Sequence, residues 1–303
     1  MTPKTRIGII TCAKHPDLVA DDRLFIAALE ATGRFEWRAR VWDDPAVDWK
    51  ADDVLLFRSC WDYYLKAPKF LRWLAKLEAL GARTLNPLPL IRENLDKSYL
   101  LKLERAGVAT APTELAEKTA DDAPSLANIL KERGWHDAVV KPAISAGGYQ
   151  TWRTSAVLAA QETEQKKFAR LLRKKSVLVQ PFLPEIQSEG EWSLIFIDGE
   201  FSHCVLKKAA PREFRIQEKF GGTVISANPE KTLVDAARHA LAAVHYDLLY
   251  ARADFVVSKG SPMLLELELF EPSLYFGHGP QAVAALIAAL EKKCIINENL
   301  ANS

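Results

Sequence analysis

Two alternating stretches late in the chain, Tyr250-Ala-Arg-Ala-Asp-Phe-Val-Val257 and Met263-Leu-Leu-Glu-Leu-Glu-Leu269, flank a five-residue loop containing Lys259-Gly260 and define an antiparallel hairpin. Successive side chains on a strand point to opposite faces. Arg252 and Asp254 therefore share one face of the first strand, and Ala253, Phe255 and Val257 the other. On the second strand Glu266 and Glu268 point one way, and Leu265, Leu267 and Leu269 the other. Centring the hairpin on Gly260 pairs Val257 with Met263, Asp254 with Glu266 and Arg252 with Glu268. Opposed carboxylates destabilise a sheet unless something compensates. A hard divalent cation such as magnesium is one compensation. The other is a solvated polar face on which Arg252 and Lys259 supply the positive charge.

The rest of the chain must pack around this hairpin, and 303 residues permit two or three units sharing a sizeable core. The first third alternates strand and helix patterns: a strand at Arg6–Thr11, a helix at Asp22–Ala31 ending at Gly33, a strand at Val54–Phe57 and a helix at Pro68–Leu80 ending at Gly81. That order predicts an open, mostly parallel sheet covered by helices. Asn86-Pro87-Leu88-Pro89 interrupts the pattern, because proline lacks the N–H and restrains its predecessor. A helix from Asn94 to Arg105 then leads through the strands Ala138–Lys141, Tyr149–Arg153 and Val177–Gln180. From Pro181 hairpins dominate, with Asp198-Gly199 as a two-residue turn between Glu191–Ile197 and Glu200–Leu206. The expected architecture is α/β, turning α+β in the C-terminal part, divided as 1–90, 91–180 and 181–303.

Lys plus Arg number 40 and Asp plus Glu 39, a net charge of +1 that gives no field to hold a nucleic acid. The apolar run Ala282–Leu290 is about half of a bilayer span, and the first residues turn strand-like too soon for a signal peptide. A cytoplasmic protein with no membrane partner is expected, its four dispersed cysteines reduced. The phosphate-loop, dinucleotide, zinc-helix and serine-elbow templates are all missing from the sequence.

Three segments can bind anions. Ala138-Val-Val-Lys141-Pro ends a buried strand in a lysine, and Ser145-Ala-Gly147-Gly148 follows, a turn able to offer consecutive N–H groups to phosphate oxygens. A flexible turn with a solvated lysine is the plain alternative. Lys97 lies on the predicted 94–105 helix, where an exposed surface position is equally consistent. Lys207-Lys208, Arg212 and Arg215, with Gln217 and Gly221-Gly222, form a basic irregular segment able to hold a triphosphate or a carboxylate, or simply to be solvated.

Taken in order from Asn86 to Phe276, these features resemble the ATP-grasp superfamily, with an ATP-binding part similar to glutathione synthetase and the ribosomal-protein glutamate ligases. The resemblance implies that ATP is sandwiched between two α+β subdomains behind an N-terminal open sheet. It makes Lys97 and Lys141 the two phosphate lysines, Ser145, Gly147 and Gly148 the mobile loop, and Val177-Leu-Val-Gln-Pro-Phe-Leu183 the hinge. Adenine contacts are then implied for Gln180, Phe182 and Leu183, a ribose contact for Glu185 or Glu189, and phosphate contact for Lys207. Asp254, Glu266 and Glu268 become ligands for magnesium or manganese, with Glu268 standing where asparagine is usual and Glu271 where a small residue is usual. Arg58-Ser59-Cys-Trp61-Asp62-Tyr and Glu268-Leu-Phe-Glu-Pro-Ser273-Leu-Tyr resemble the group that closes the D-cycloserine ring. By that likeness Arg58, Ser59, Trp61, Asp62 and Ser273 hold a small amino-acid-like substrate; Arg215 and Gly222 join them through the Phe214–Gly222 segment, which looks like the glutamate-ligase branch with Gln217 where asparagine is usual, and Arg215 and Lys141 act on the reacting groups. The Arg58 segment also lies past the C-terminal end of a parallel strand, where such sheets bind ligands. Aromatic packing around an Arg58–Asp62 pair is the competing reading. The implied activity is ADP-forming carboxylate–amine ligation through an acyl phosphate, and the resemblance is compatible with a homodimer, the sequence itself leaving the oligomeric state open. A kinase on the same scaffold and a silent nucleotide-binding regulator are the alternatives.

Overall fold

The computed structural model describes residues 4–211, 213–216 and 218–301, without the side chains of Glu218 and residues 295–301. Arg212 and Gln217 of the basic segment lie outside the described residues.

The first unit is a parallel sheet in the order β2-β1-β3-β4. Its chain order is β1 (Thr5–Thr11), α1 (Ala20–Ala31), β2 (Phe35–Val41), β3 (Val54–Ser59), α2 (Ala67–Ala79) and β4 (Thr84–Leu85). Strand β3 is buried along its whole length because it is central and covered on both faces. Helix α2 starts at a proline and turns Phe70, Trp73, Leu74 and Leu77 inward at helical spacing. Strand β2 is absent from the sequence reading. Its Glu36, Arg38 and Arg40 dilute the apolar signal of Phe35, Trp37, Ala39 and Val41.

The helix expected over 94–105 is two helices, α3 (Leu88–Asn94) and α4 (Tyr99–Arg105). Pro89 lies in the first turn of α3, where its missing N–H costs nothing, so the prolines open a helix here. The intervening turn carries Lys97, which is therefore buried rather than on a helix surface. A second sheet, in the order β5-β8-β6-β7, follows from β5 (Glu114–Ala116), α5 (Leu126–Arg133), β6 (Asp137–Pro142), β7 (Trp152–Ser155), α6 (Ala156–Ala159), α7 (Glu162–Leu172) and β8 (Val177–Pro181). Its core, including Leu126, Val140, Phe168 and Val179, comes wholly from residues 116–179.

The third sheet, in the order β11-β10-β9-β12-β13, is antiparallel throughout. It comprises, with its helices, α8 (Glu185–Ser188), β9 (Glu191–Ile197), β10 (Glu200–Lys208), β11 (Thr223–Ala227), α9 (Lys231–Ala242), β12 (Tyr250–Ser258), β13 (Ser261–Glu268) and α10 (Pro280–Ala301). Asp254 faces Glu266 and Arg252 faces Glu268, as the alternation requires. Past Asp254 a bulge shifts the register, so Val257 meets Pro262 rather than Met263. The extra residue is Leu265, which leaves the core for the cleft, while Leu264 takes the fully buried position.

The first and third units share one core, in which Ile7, Ile9 and Phe25 pack with Ile195, Tyr250 and Leu286. Asn86 fastens the two together: its amide donates to the carbonyls of Tyr250 (2.8 Å) and Leu269 (2.6 Å), and its oxygen accepts from the Leu249 N–H (2.6 Å). Asn94 does the same along the outer edge of β13, to Leu267 O (2.7 Å) and from Leu269 N (2.9 Å). Among the described residues no helix is long and apolar enough to cross a membrane, and Cys12, Cys60 and Cys204 are buried free thiols.

Asn86→Ala strands three buried backbone groups at about 1 kcal/mol or more each, so the denaturant midpoint should fall by the equivalent of about 3 kcal/mol. An unchanged midpoint would show that these bonds do not tie the units together.

Candidate active site

A cavity of about 610 Å³ opens between the second and third sheets, and the loops after β1 and β3 close one side. One end is apolar, walled by Val139, Phe182, Leu183, Ile186, Val224 and the displaced Leu265. Phe182 is held there by an edge contact with Phe214 (6.4 Å between centroids) and by the Arg153 guanidinium 3.8 Å over its ring. Gln180 also lines this wall, its amide donating to Thr113 Oγ1 at 2.8 Å.

The other end is charged because sheet register stacks ionisable residues in adjacent rows. Glu191 lies beside Lys207 on β10, Ser193 beside Asp254, and Asp254 beside Glu266. Lys207 Nζ lies 2.5 Å from Glu191 and 3.4 Å from Asp254. Arg252 bridges Asp254 (2.9 Å) and Glu268, and donates to Ser273 O at 3.2 Å. Ser193 Oγ donates to Asp254 at 2.5 Å.

Lys97 Nζ reaches Glu266 at 2.9 Å and donates to the Ser145 carbonyl at 2.6 Å. Its own N–H donates to Ala143 O at 2.9 Å, so Lys97 and the turn after β6 fix one another. Ser145 Oγ closes that turn on Pro142 O at 2.9 Å. Gly147 and Gly148 follow with φ of 56° and 71°, a left-handed pair that only glycine adopts freely. Lys141 enters between, and among the described residues it makes no ion pair and no hydrogen bond, unlike Lys97, Lys207 and Arg252.

Burial raises every one of these acids, and the cations decide the outcome. Arg252 and Lys207 outweigh burial at Asp254, and Lys97 and Lys141 do so at Glu266, so both stay below the usual carboxylate range. Burial, reinforced by Glu271 and Glu266, drives Glu268 well above that range despite Arg252. Glu191 and Glu271 are pushed up to about 7, chiefly by burial. Lys141 is lowered by burial and, beyond that, by Lys97, although Glu266 opposes the shift.

Several residues named from the sequence do not face this cavity. Arg58 and Ser59 are buried against Asp22 of α1, with Arg58 Nε–Asp22 at 2.9 Å and Ser59 Oγ–Asp22 at 3.0 Å, and Arg58 also lies over the Tyr250 ring. The pair is thus not with Asp62, which accepts from Trp42 Nε1 (2.6 Å) and Lys66 (2.9 Å) while lining the cavity together with Trp61. Glu185 is turned away to Ser258 (2.8 Å), and Glu189 stands exposed in the turn before β9. Gly222 lies outside the lining because the backbone passes itself too closely for any side chain, a Cβ there falling 2.0 Å from Ile216 O. Arg215 and Ser273 do line the cavity, with Arg215 held by Glu213 at 2.7 Å. The sequence reading missed Glu191, whose signal was its place two residues before Ser193 on one face of β9. It also missed Lys219, which arches over Gly147, and the Lys14-His15 loop, and it gave no role to Tyr63 and Tyr275, which stand in the quoted motifs.

Among the described residues no three His, Cys, Asp or Glu side chains converge at metal-ligand spacing, since Arg252 lies between Asp254 and Glu268 and Lys97 occupies Glu266. The donor set nonetheless suits a hard cation. Asp254, Glu266 and Glu268 are hard oxygen donors, and Glu191 and Glu271, raised chiefly by burial, line the same cavity beside Lys97, Lys141, Lys207 and Arg252.

The raised carboxyls make the ligand-free chain less stable as pH climbs. Glu191 and Glu271 bind protons more tightly folded than at their ordinary value of 4.5, so their contribution is full below 4.5 and lost as pH rises to about 7. Glu271→Gln should flatten the melting temperature against pH between those values. An equally steep curve in the variant would show that Glu271 is not raised.

Residues 7–86 match the family described as the D-cycloserine synthetase DcsG N-terminal domain. The chain is 32% identical over 243 residues to the cycloserine biosynthesis protein DcsG of Streptomyces lavendulae, covering 77% of this chain and 80% of that protein. The crystal structure of D-cycloserine synthetase DcsG superposes with a TM-score of 0.86 at 29% identity, over 95% of this chain and 99% of that one. The ATP complex of D-alanine–D-alanine ligase from Bacillus anthracis shares the fold, with a TM-score of 0.66 at 17% identity, over 97% and 99% of the two chains. The chain belongs to the DcsG family of ATP-grasp enzymes and is an ATP-dependent, ADP-forming ligase.

Proposed function

We propose that this ligase activates the carboxylate of a small amino-acid derivative as an acyl phosphate and joins it to an amine, with kinship to DcsG favouring ring closure within one molecule. A carboxylate oxygen attacks the γ-phosphorus, the bond to the β–γ bridging oxygen breaks and ADP departs. The amine nitrogen then attacks the acyl carbon, loses a proton and expels phosphate. The observation that carries this reading is Lys141, a cation without an ion-pair partner among the described residues, placed beside a glycine-paired turn and facing clustered carboxylates.

Phosphoryl transfer asks mainly for alignment and charge compensation. Lys141, Lys97 and Lys207 neutralise phosphate oxygens, and the Gly147 and Gly148 N–H groups cradle them. The Phe182–Leu183 wall takes the adenine beside Gln180. Asp254, Glu266 and Glu268 would hold magnesium or manganese, which when bound supplies positive charge to the β- and γ-phosphates. Ser145 fixes the loop that excludes water from the acyl phosphate, and Arg215 faces it from the opposite loop. Trp61, Asp62 and Ser273 border the substrate end.

Lys141→Ala should fold normally and lower ADP formation by about two to three orders of magnitude. Activity within a few-fold of the parent would contradict the assignment. Hydroxylamine added during turnover should yield a hydroxamate from the trapped acyl phosphate. ADP release without hydroxamate would point to a kinase, and nucleotide binding without ADP release to a regulator.

A further inference from the structure

Among the five clustered cleft carboxylates Glu271 is the one without a cation at ion-pair distance, Lys97 and Arg252 acting on it only from farther off. Its side chain is buried, 7% exposed, yet it lines the cavity. Asp254 has Arg252 and Lys207, Glu266 has Lys97, Glu268 has Arg252, and Glu191 has Lys207. Among the described residues Glu271 makes no ion pair, and its side chain has a single hydrogen bond, from the Tyr63 hydroxyl. A carboxylate offers about four acceptor positions, and the Tyr63 hydroxyl takes one of them. Leaving that charge desolvated is costly unless the ligand brings a partner.

Its placement is built rather than incidental. Trp61 Nε1 donates to the Glu271 carbonyl at 2.9 Å, pinning the segment after β13 to the loop after β3. Tyr63 is buried, with its ring centroid 5.2 Å from that of Phe270, so its hydroxyl is fixed. Both partners come from the first unit, and they set Glu271 on the side of the cavity bordered by Trp61 and Asp62, away from the Phe182 wall.

We propose that Glu271, oriented by Tyr63, binds the free ammonium group of the substrate and so restricts this ligase to acids that carry a cationic amino nitrogen. This rests on the ligase reading above and deepens it. The other source of the same charge is a second divalent cation, and the test separates the two.

D-cycloserine serves as the amino-bearing probe and its N-acetyl derivative as the probe without a cation, both titrated calorimetrically into the full chain with ADP and magnesium. ADP formation is followed in parallel with amino acids and their deamino analogues. The parent protein should prefer the free amine at least tenfold in both assays. Glu271→Gln should remove that preference while nucleotide and magnesium affinities stay within about twofold, and Glu271→Asp should restore part of it. Tyr63→Phe should raise KM for the amino acid more than it lowers kcat. A preference that survives Glu271→Gln overturns the proposal, as does a variant that loses magnesium affinity instead. Equal turnover of deamino acids by the parent overturns it while leaving the ligase reading intact. A failure to form ADP with every acid would remove both.

Discussion

The structure depends on a network of buried, opposed charges held in a sheet. Antiparallel register brings Lys207, Glu191, Ser193, Asp254 and Glu266 into neighbouring rows, and Arg252 with Glu268 into the next. Desolvation raises those acids, and close cations, with the Ser193 hydroxyl at Asp254, hold Asp254 and Glu266 below the usual carboxylate range. A buried network of this kind stabilises a protein poorly, and hydrophobic residues of similar size would pack there more favourably. Under the proposed function the network has a use, because a triphosphate would meet its cations and a metal its carboxylates.

The remainder of the chain serves to hold those walls in register. The second sheet has its own core and carries Lys141 and the glycine turn, whereas the first and third units share a core and are stitched by Asn86. Asn94 and the Tyr99 hydroxyl, the latter accepting from Leu267 N at 2.8 Å, secure the free edge of β13 that bears Glu266 and Glu268. The Lys97 bond to the Ser145 carbonyl links that edge to the turn after β6. Nucleotide bound between the walls would therefore contact a rigid side and a separately packed side, the arrangement in which closure of one on the other excludes water.

Local periodicity made the site's centre legible. Alternation alone placed Asp254 opposite Glu266 and Arg252 opposite Glu268, and a lysine before a small-residue turn marked Lys141. What escaped the sequence depends on contacts distant along the chain. Arg58 reads as a ligand at a strand end, but its partner is Asp22, thirty-six residues earlier on α1. The bulge that moves Leu265 into the cleft leaves no periodic trace, and neither does the turn that breaks the helix at Lys97. Glu191 shares a face of β9 with Ser193, but that face gains its meaning only once β9 is seen to run between β10 and β12.

The most direct test is a crystal structure of the chain with magnesium and a non-hydrolysable ATP analogue. The account predicts adenine against Phe182 and Leu183, phosphate oxygens within hydrogen-bond reach of Lys97 and Lys141, and metal density among Asp254, Glu266 and Glu268. Nucleotide seated elsewhere, or phosphates in the cleft with those three carboxylates still engaged only by Arg252 and the lysines, would contradict it.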